Sequence, residues 1–217
     1  MMIKIIKEVC PKYKRHYFAV SMGVDSVSAF FWMREKGYNV TPIHFNHKLR
    51  GQNDLMEKKF VELCSATNSD PVIGYGKDLF SENDCRQARL DFYKVIVEYG
   101  ASVLTAHHSD DWVESYILNC FRGHPDHEPF NLISNFETFQ IVHPFLLCNK
   151  NDLVQYAERN NLLRFVVVDE TNSVQQGSRR NWIRNTIVPE MKNQKLGLEK
   201  YAKRRIGSLI ESCVLVN

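Results

Sequence analysis

Residues 18–26, Phe18-Ala19-Val20-Ser21-Met22-Gly23-Val24-Asp25-Ser26, decide the fold. The run from Tyr17 to Val20 is apolar and strand-like. It breaks into a short Ser/Gly/Asp turn, and a helical pattern follows with Val27, Phe30, Phe31 and Arg34 at helical spacing. A strand that ends in a small-residue loop and opens a helix is an anion site. Backbone N–H groups point into the loop, and the helix N-terminus adds partial positive charge. Ser21 and Ser26 add hydroxyl donors. Asp25 is the odd member, because a carboxylate repels phosphate. It makes sense there as a Mg²⁺ ligand; the alternative is that Asp25 or Ser26 simply caps the helix. No Gly-Lys-Ser/Thr follows, so the loop is not a Walker A motif.

Outward from this loop, strands and helices alternate. Strand patterns fall at 39–45, 70–75, 102–106 and 136–142, with Pro42 hinting at an edge or an irregularity in the first of them. Helical patterns fall at 25–36, 54–67, 81–99, 150–161, 179–191 and 198–214, with another running from the His107–Asp111 cluster to Phe121 and a short amphipathic one at 1–9. Phe165 to Val168 is also strand-like, and Asp169-Glu170-Thr171-Asn172 is a sharp polar turn. The stretch 122–135 has the Gly and Pro content of a loop. This alternation predicts an α/β fold: a doubly wound, mostly parallel five-stranded sheet flanked by helices, with further helices at the C-terminus. Residues 1–177 form the expected main domain and 178–217 a basic helical extension. Ligands in such sheets bind at the carboxyl ends of the strands. Three polar clusters obey that rule: Ser21–Ser26, Asn46–Arg50 and His107–Asp111.

Composition narrows the class. Hydrophobic content of 44% and charged content of 24% are ordinary for a globular protein. No apolar run reaches the roughly 18 residues needed to cross a bilayer, and the charged N-terminus lacks a signal-peptide core. The six cysteines contain no CxxC pair, so no zinc or iron–sulfur site is signalled and reduced thiols in a cytoplasmic setting are expected. Net charge is only +3, yet nine Lys/Arg lie between Ser178 and Arg205 against Glu190 and Glu199. The rest of the chain is therefore net acidic. A basic C-terminal stretch suits a polyanion, and a solvated charged helix face is the alternative.

Several groups could do chemistry. Asp110, Asp111 and Glu114 open a helix, and Asp111 and Glu114 share one face at i,i+3. They could hold Mg²⁺ or substrate opposite Asp25, or simply complement the helix dipole. His107 and His108 could act as acid and base, or at least one of them packs or hydrogen-bonds locally. Arg86 and Arg89, also i,i+3, could clamp phosphate, or pair with Asp84 or Asp91. Arg180 and Arg184 are one i,i+4 step apart and could face one groove. Trp182 offers a stacking surface for a base, or a core residue. His124, His127 and His143 have no ligand spacing and read as ordinary loop residues.

Ser21-Met22-Gly23-Val24-Asp25-Ser26 resembles the Ser-Gly-Gly-x-Asp-Ser signature of the PP-loop, or N-type, ATP pyrophosphatases. Five further stretches, from about residue 17 to Met191, resemble the tRNA(Ile)-lysidine synthase family: Ile43-His44-Phe45-Asn46-His47-Lys48-Leu49-Arg50; Arg86-Gln87-Ala88-Arg89; Ala106-His107-His108-Ser109-Asp110-Asp111-Trp112-Val113-Glu114; Asp169-Glu170-Thr171-Asn172; and Arg180-Asn181-Trp182-Ile183-Arg184. The resemblance implies ATP with its phosphates on Ser21, Met22, Gly23, Val24, Asp25 and Ser26, and its adenine near His44 and Asn46, with His107 also at the nucleotide. It implies Mg²⁺ on Asp25, Asp111 and Glu114, and catalytic roles for these three with Arg89 and Arg184. Arg86, Asn172, Arg180 and Arg184 would meet the tRNA. The partners implied are a CAU-anticodon tRNA and L-lysine, with no membrane and with a homodimer as one way to grip the RNA. The reaction implied is adenylation of the wobble cytidine followed by lysine attack, giving lysidine, AMP and pyrophosphate. A different tRNA-modifying adenylation, or nucleotide and tRNA binding without chemistry, are the rival readings. Met22 replaces the signature's first glycine, so it would strain or crowd the loop if that glycine needs φ > 0 or a close phosphate. His143 stands where the family tends to have arginine.

Overall fold

The computed structural model describes residues 9–49, 51–168 and 179–215. At its centre lies a six-stranded sheet in the order β3-β2-β1-β4-β6-β5. The strands are β1 His16–Ala19, β2 Val40–Asn46, β3 Val72–Tyr75, β4 Ser102–Leu104, β5 Ile133–Asn135 and β6 Gln140–Val142. Every neighbouring pair is parallel except β5–β6. Phe18 of β1 is matched with Pro42 on one side and Leu104 on the other. Pro42 is no edge marker, because β2 is internal. The proline is tolerated because pairing to β3 begins only at Ile43, so no ladder donor is lost on that side.

The expected count of five strands is corrected to six. The extra strand, β5, comes from the stretch the sequence presents as loop. At three residues it is too short to show a period. The strand pattern at 136–142 shrinks to β6, because Phe136 to Phe139 make the hairpin: the Phe136 N–H donates to the Phe139 carbonyl at 2.9 Å and the two rings stack at 4.8 Å. The strand-like run Phe165–Val168 joins no ladder. Leu162–Phe165 is a 3₁₀ turn, and beyond it the Val167 N–H donates to the Met22 carbonyl at 2.9 Å. The helix expected at 1–9, apart from Val9, the turn 169–172 and Arg50 lie outside the described residues.

Helices α1 Val24–Glu35, α2 Gly51–Ala66, α3 Glu82–Ile96, α4 Ser109–Phe121 and α5 Lys150–Arg159 follow the expected periodicities. Capping boxes start three of them, at Ser81/Asp84, His108/Asp111 and Asn149/Asp152. Alternating strand residues face opposite layers. Phe18, Val20, Leu104 and Val142 pack with Val27, Phe30 and Met33 of α1, Phe60 and Leu63 of α2, and Leu153 of α5. Tyr17, Ile43 and Val103 pack on the other face with Tyr93 of α3. The C-terminal helices are α6 Arg179–Trp182, a π turn Ile183–Ile187, α7 Val188–Asn193 and α8 Leu198–Leu215. They bury Ile183, Val188, Ala202, Ile206 and Ile210 against Trp112, Val113 and Ile117 of α4. The extension thus shares a core with α4. Pro189 explains the π turn. It has no N–H and excludes the carbonyl four residues back, and the helix widens so that the Val188 N–H reaches Ile183.

Candidate active site

β1 is flanked by β2 and β4, and the chain leaves it in both directions across the sheet. Loops leaving β1 and β4 therefore open a crevice at their carboxyl ends. α1 and α4 begin on its two sides. The α1 N-terminus has Gly23 as N-cap and no side-chain cap, so its first-turn N–H groups face the loop mouth. Ser26 braces this loop. Its Oγ donates to the Gly23 carbonyl at 3.0 Å, accepts the Ser21 N–H at 3.1 Å and lies 3.1 Å from Ser21 Oγ.

Met22 carries the strain foreseen for it, with φ +66°. It does not crowd the mouth, because its side chain is fully buried in the α1/α5-side core. Gly23 has an ordinary φ of −73°, and a Cβ there would meet only Ser21 Oγ, at 3.6 Å. The left-handed residue is thus turned inward and the residue beside it leaves the cradle open.

Asp25 and Asp111 converge on one imidazole. His108 Nε2 lies 3.6 Å from Asp25 Oδ2 and 3.4 Å from Asp111 Oδ2. His108 is also the N-cap of α4: its Nδ1 accepts the Asp111 N–H at 3.4 Å, and its own N–H donates to Asp111 Oδ2 at 3.1 Å. This arrangement leaves the ring proton on Nε2, facing both acids. Burial pulls the His108 pKa down, but the hydrogen bond to Asp25 and the charges of Asp111, Asp25 and Asp110 outweigh it and the pKa is raised. For Asp25, burial pushes upward and His108, Lys150 and Arg184 outweigh it, so its pKa is lowered. Asp25 Oδ1 remains buried with no partner among the described residues.

Glu114 is held from the C-terminal helices. Arg184 donates Nε to Oε1 and Nη2 to Oε2, both at 2.8 Å, and Nη2 lies 3.3 Å from Asp111 Oδ1. Arg180 reaches Glu114 Oε2 at 3.5 Å and Ser115 Oγ at 3.1 Å. Asp110 points elsewhere. It accepts the Lys150 N–H at 2.8 Å and Lys192 Nζ at 2.6 Å, at a cleft of about 420 Å³ lined also by Asn149, Glu199 and Lys203. Among the described residues no three His, Cys, Asp or Glu side chains are grouped to hold a metal. Asp25 Oδ1, buried and without a partner among the described residues, is a carboxylate donor that no protein group there satisfies.

At β2, His44 is buried and stacks on Phe60 at 5.3 Å. Its Nδ1 donates to the Val20 carbonyl at 2.7 Å, leaving Nε2 a buried acceptor without a partner among the described residues. Burial lowers its pKa, so the ring is neutral. Asn46 is engaged internally. Its amide donates to Glu57 Oε2 at 2.5 Å and to Asp54 Oδ1 at 3.3 Å, and its Oδ1 accepts the Lys48 N–H at 2.8 Å. Arg86 and Arg89 do not pair with Asp84 or Asp91. Asp84 closes the α3 capping box, and Asp91 meets Gln87 and Lys94. The Arg89 charge is felt by His47 and His107, where it opposes protonation of the rings. Asn172 lies outside the described residues.

His143, which the sequence presents as an ordinary loop residue, instead packs against His107. Thr105 Oγ1 lies 2.9 Å from His107 Nδ1 and 2.5 Å from His143 Nδ1, and Phe130 packs on both rings. Burial, opposed by Asp111, brings His107 down to about 4; burial and His107 bring His143 down to about 3. The only signal in the sequence is the position of His143 at the end of the 136–142 strand pattern; that this strand lies beside β4 comes from the strand order.

The PP-loop domain model matches residues 2–191. The chain belongs to the PP-loop domain family. Within that family it is similar to the tRNA(Ile)-lysidine synthase of Streptococcus equi subsp. zooepidemicus, 30% identical over 62% of this chain and 34% of that protein. It is similar also to the tRNA(Ile)-lysidine synthase of Streptococcus mutans, 32% identical over 69% of this chain and 38% of that one. The chain spans about a third of the length of these curated relatives. Among solved structures, the U34-tRNA thiolase NcsA from Methanococcus maripaludis shares the PP-loop fold, with a TM-score of 0.69 at 14% identity over 97% of this chain and 78% of that one. In this PP-loop domain Asp25 of the signature loop, Asp111 and Glu114 of α4 and Arg184 come together, while Asp110 is bonded to Lys150 and Lys192 and Asn46 to Asp54 and Glu57. No helix among the described residues is long and apolar enough to cross a membrane.

Proposed function

We propose that this PP-loop protein activates a tRNA base with ATP, and that the base is the wobble cytidine of a CAU-anticodon tRNA(Ile). The observation that carries the reading is the crevice between α1 and α4. An uncapped helix N-terminus opens beside Gly23, and beside it Asp25 presents a buried carboxylate oxygen that has no partner among the described residues. The names of the similar curated proteins supply the substrate class.

In this reading the Ser21–Ser26 loop and the α1 N-terminus take the ATP phosphates. His44 Nε2, a neutral acceptor, suits the amino edge of adenine. Mg²⁺, held by Asp25 with Asp111 and Glu114 lining the same crevice, would neutralise charge on the phosphates. Arg184 and Arg89 bring positive charge toward the same place. The C2 oxygen of cytidine attacks the α-phosphorus and pyrophosphate leaves. The lysine amine then adds to C2 and AMP departs with that oxygen. Adenylation is needed because the bare oxygen is a poor leaving group, and dividing a hard substitution in two lowers each barrier. The protein supplies positioning and electrostatic stabilisation.

The test is pyrophosphate release from ATP and Mg²⁺ with lysine and the CAU-anticodon tRNA, beside controls lacking one component. Release that needs the tRNA, with labelled lysine entering the RNA, is the expected result. Release without lysine incorporation would assign a different nucleophile.

A further inference from the structure

Phe121, the last residue of α4, and Trp182 of α6 stack on one another in the open. Their ring centroids are 5.9 Å apart at an interplanar angle of 29°, and the residues are 54% and 45% exposed. A stacked aromatic pair normally lies inside a core, and an exposed one is a ready surface for a third planar group. Arg122 adjoins it in sequence. Arg179 is three residues before Trp182, on the same helix face. Both arginines are exposed. Glu128, on the following loop, is held by Arg205 at 2.6 Å.

Position gives the pair its meaning. Phe121 is seven residues after Glu114, two helical turns along the same face of α4 and about 10 Å further on. At the crevice end of this span Arg180, two residues before Trp182, lies on Glu114 and Ser115. The line running from the crevice is therefore carboxylates, then arginine, then a flat aromatic pair flanked by arginines. Alternating positive charge and stacking surface is the chemistry that holds single-stranded nucleic acid.

We propose that Phe121 and Trp182 form a stacking platform for an unpaired RNA base close to the base that enters the crevice, with Arg122 and Arg179 on its flanking phosphates. The proposal rests on the tRNA reading above and adds where the loop is gripped. It commits to single-stranded RNA because apolar rings alone would suit many partners, whereas rings framed by arginines suit a base and its phosphates.

The experiment uses the full chain and a labelled stem–loop RNA with CAU in its loop, by fluorescence anisotropy at fixed salt. Trp182→Ala is expected to weaken binding between about fivefold and about a hundredfold, the range of one lost base stack, while Trp182→Phe stays within about twofold. Arg122→Ala should lower the slope of log affinity against log salt by about one. Trp emission supplies a second readout: RNA should quench the wild type more than Trp182→Phe, and this holds even should the alanine variant fold poorly. Equal quenching, Trp182→Ala binding like wild type, or no RNA binding by the wild type overturns the platform. A gel-filtration shift from dimer to monomer in Trp182→Ala, with RNA affinity unchanged, assigns the surface to a second copy and also overturns it. Lysine incorporation separates the two readings. Incorporation with Trp182→Ala unaffected in RNA affinity sinks the platform alone; RNA bound through Trp182 without lysine or pyrophosphate turnover sinks the lysidine reading alone.

Discussion

Arg184 and Glu114 form a two-pronged ion pair, both contacts at 2.8 Å, between the π turn and α4. The Glu114 side chain is 4% exposed and that of Arg184 26%. A buried pair gains little over an apolar one, but breaking it leaves an uncompensated charge, costing roughly 3 kcal/mol. Arg184→Ala should therefore lower unfolding stability by that order as well as reduce activity. Urea denaturation checks it, and a loss below about 1 kcal/mol would mean that water reaches Glu114.

Met22→Gly sets two effects against each other. Glycine relieves the left-handed backbone, a gain of about 1 kcal/mol. It also deletes a fully buried side chain, a loss of about 2–5 kcal/mol. The second wins, so the variant should be less stable than wild type although it restores the family's signature. Because the side chain points away from the loop mouth, the dependence of activity on ATP concentration should barely change. Thermal melting and a titration with ATP test both halves. A more stable, much more active variant would show that Met22 obstructs the cradle.

What could be read in the sequence follows from how local each signal is. The switch from a strand pattern to a helical one at Ser21–Asp25 needs only neighbouring residues, as does the i,i+3 spacing of Asp111 and Glu114. That the Met22 side chain turns into the core was not legible, because β1 ends at Ala19 and the left-handed backbone at Met22 breaks the strand alternation. The role of His108 was harder. It ties Asp25 to Asp111 only because β1 and β4 are adjacent, which is a property of strand order. His143 meets His107 for the same kind of reason, β6 lying beside β4. Asp110 looked like a third site acid, yet one residue of helical rotation turns it toward Lys150 and Lys192.

The histidines should shape stability against pH in opposite senses. His107 and His143 have folded pKa values lowered to about 4 and about 3, below the unfolded value near 6.5. Their neutral forms favour folding above about pH 6.5, and that contribution is lost as pH falls toward 4. His143→Gln should flatten the acid limb of stability measured by urea midpoints. An unchanged limb would show that carboxylate protonation alone causes it. His108 has a raised folded pKa, so its contribution is full below about pH 6.5 and is lost as pH rises through the folded value. His108→Asn keeps a capping side chain and removes the titration, so the loss on the alkaline side should shrink.

Asp25→Asn isolates the charge at the crevice. The amide fills the same space and can still accept from His108, so the fold should survive. The anionic oxygen that faces no donor among the described residues is gone. If Asp25 holds the cation, ATP affinity should lose its dependence on Mg²⁺. Pyrophosphate release should fall by about two orders of magnitude or more, the scale of losing one preorganised electrostatic group. If Asp25 serves only to orient His108 at the start of α4, affinity for ATP should be as sensitive to Mg²⁺ as in wild type. Calorimetric titration of ATP with and without Mg²⁺ separates the two, because a purely structural role has no reason to follow the metal. Glu114→Gln supplies the contrast. Its carboxylate is already neutralised by Arg184 at 2.8 Å, so the metal dependence should persist there even where stability drops. A loss of metal dependence in Glu114→Gln equal to that in Asp25→Asn would place the cation between the two acids instead of at Asp25.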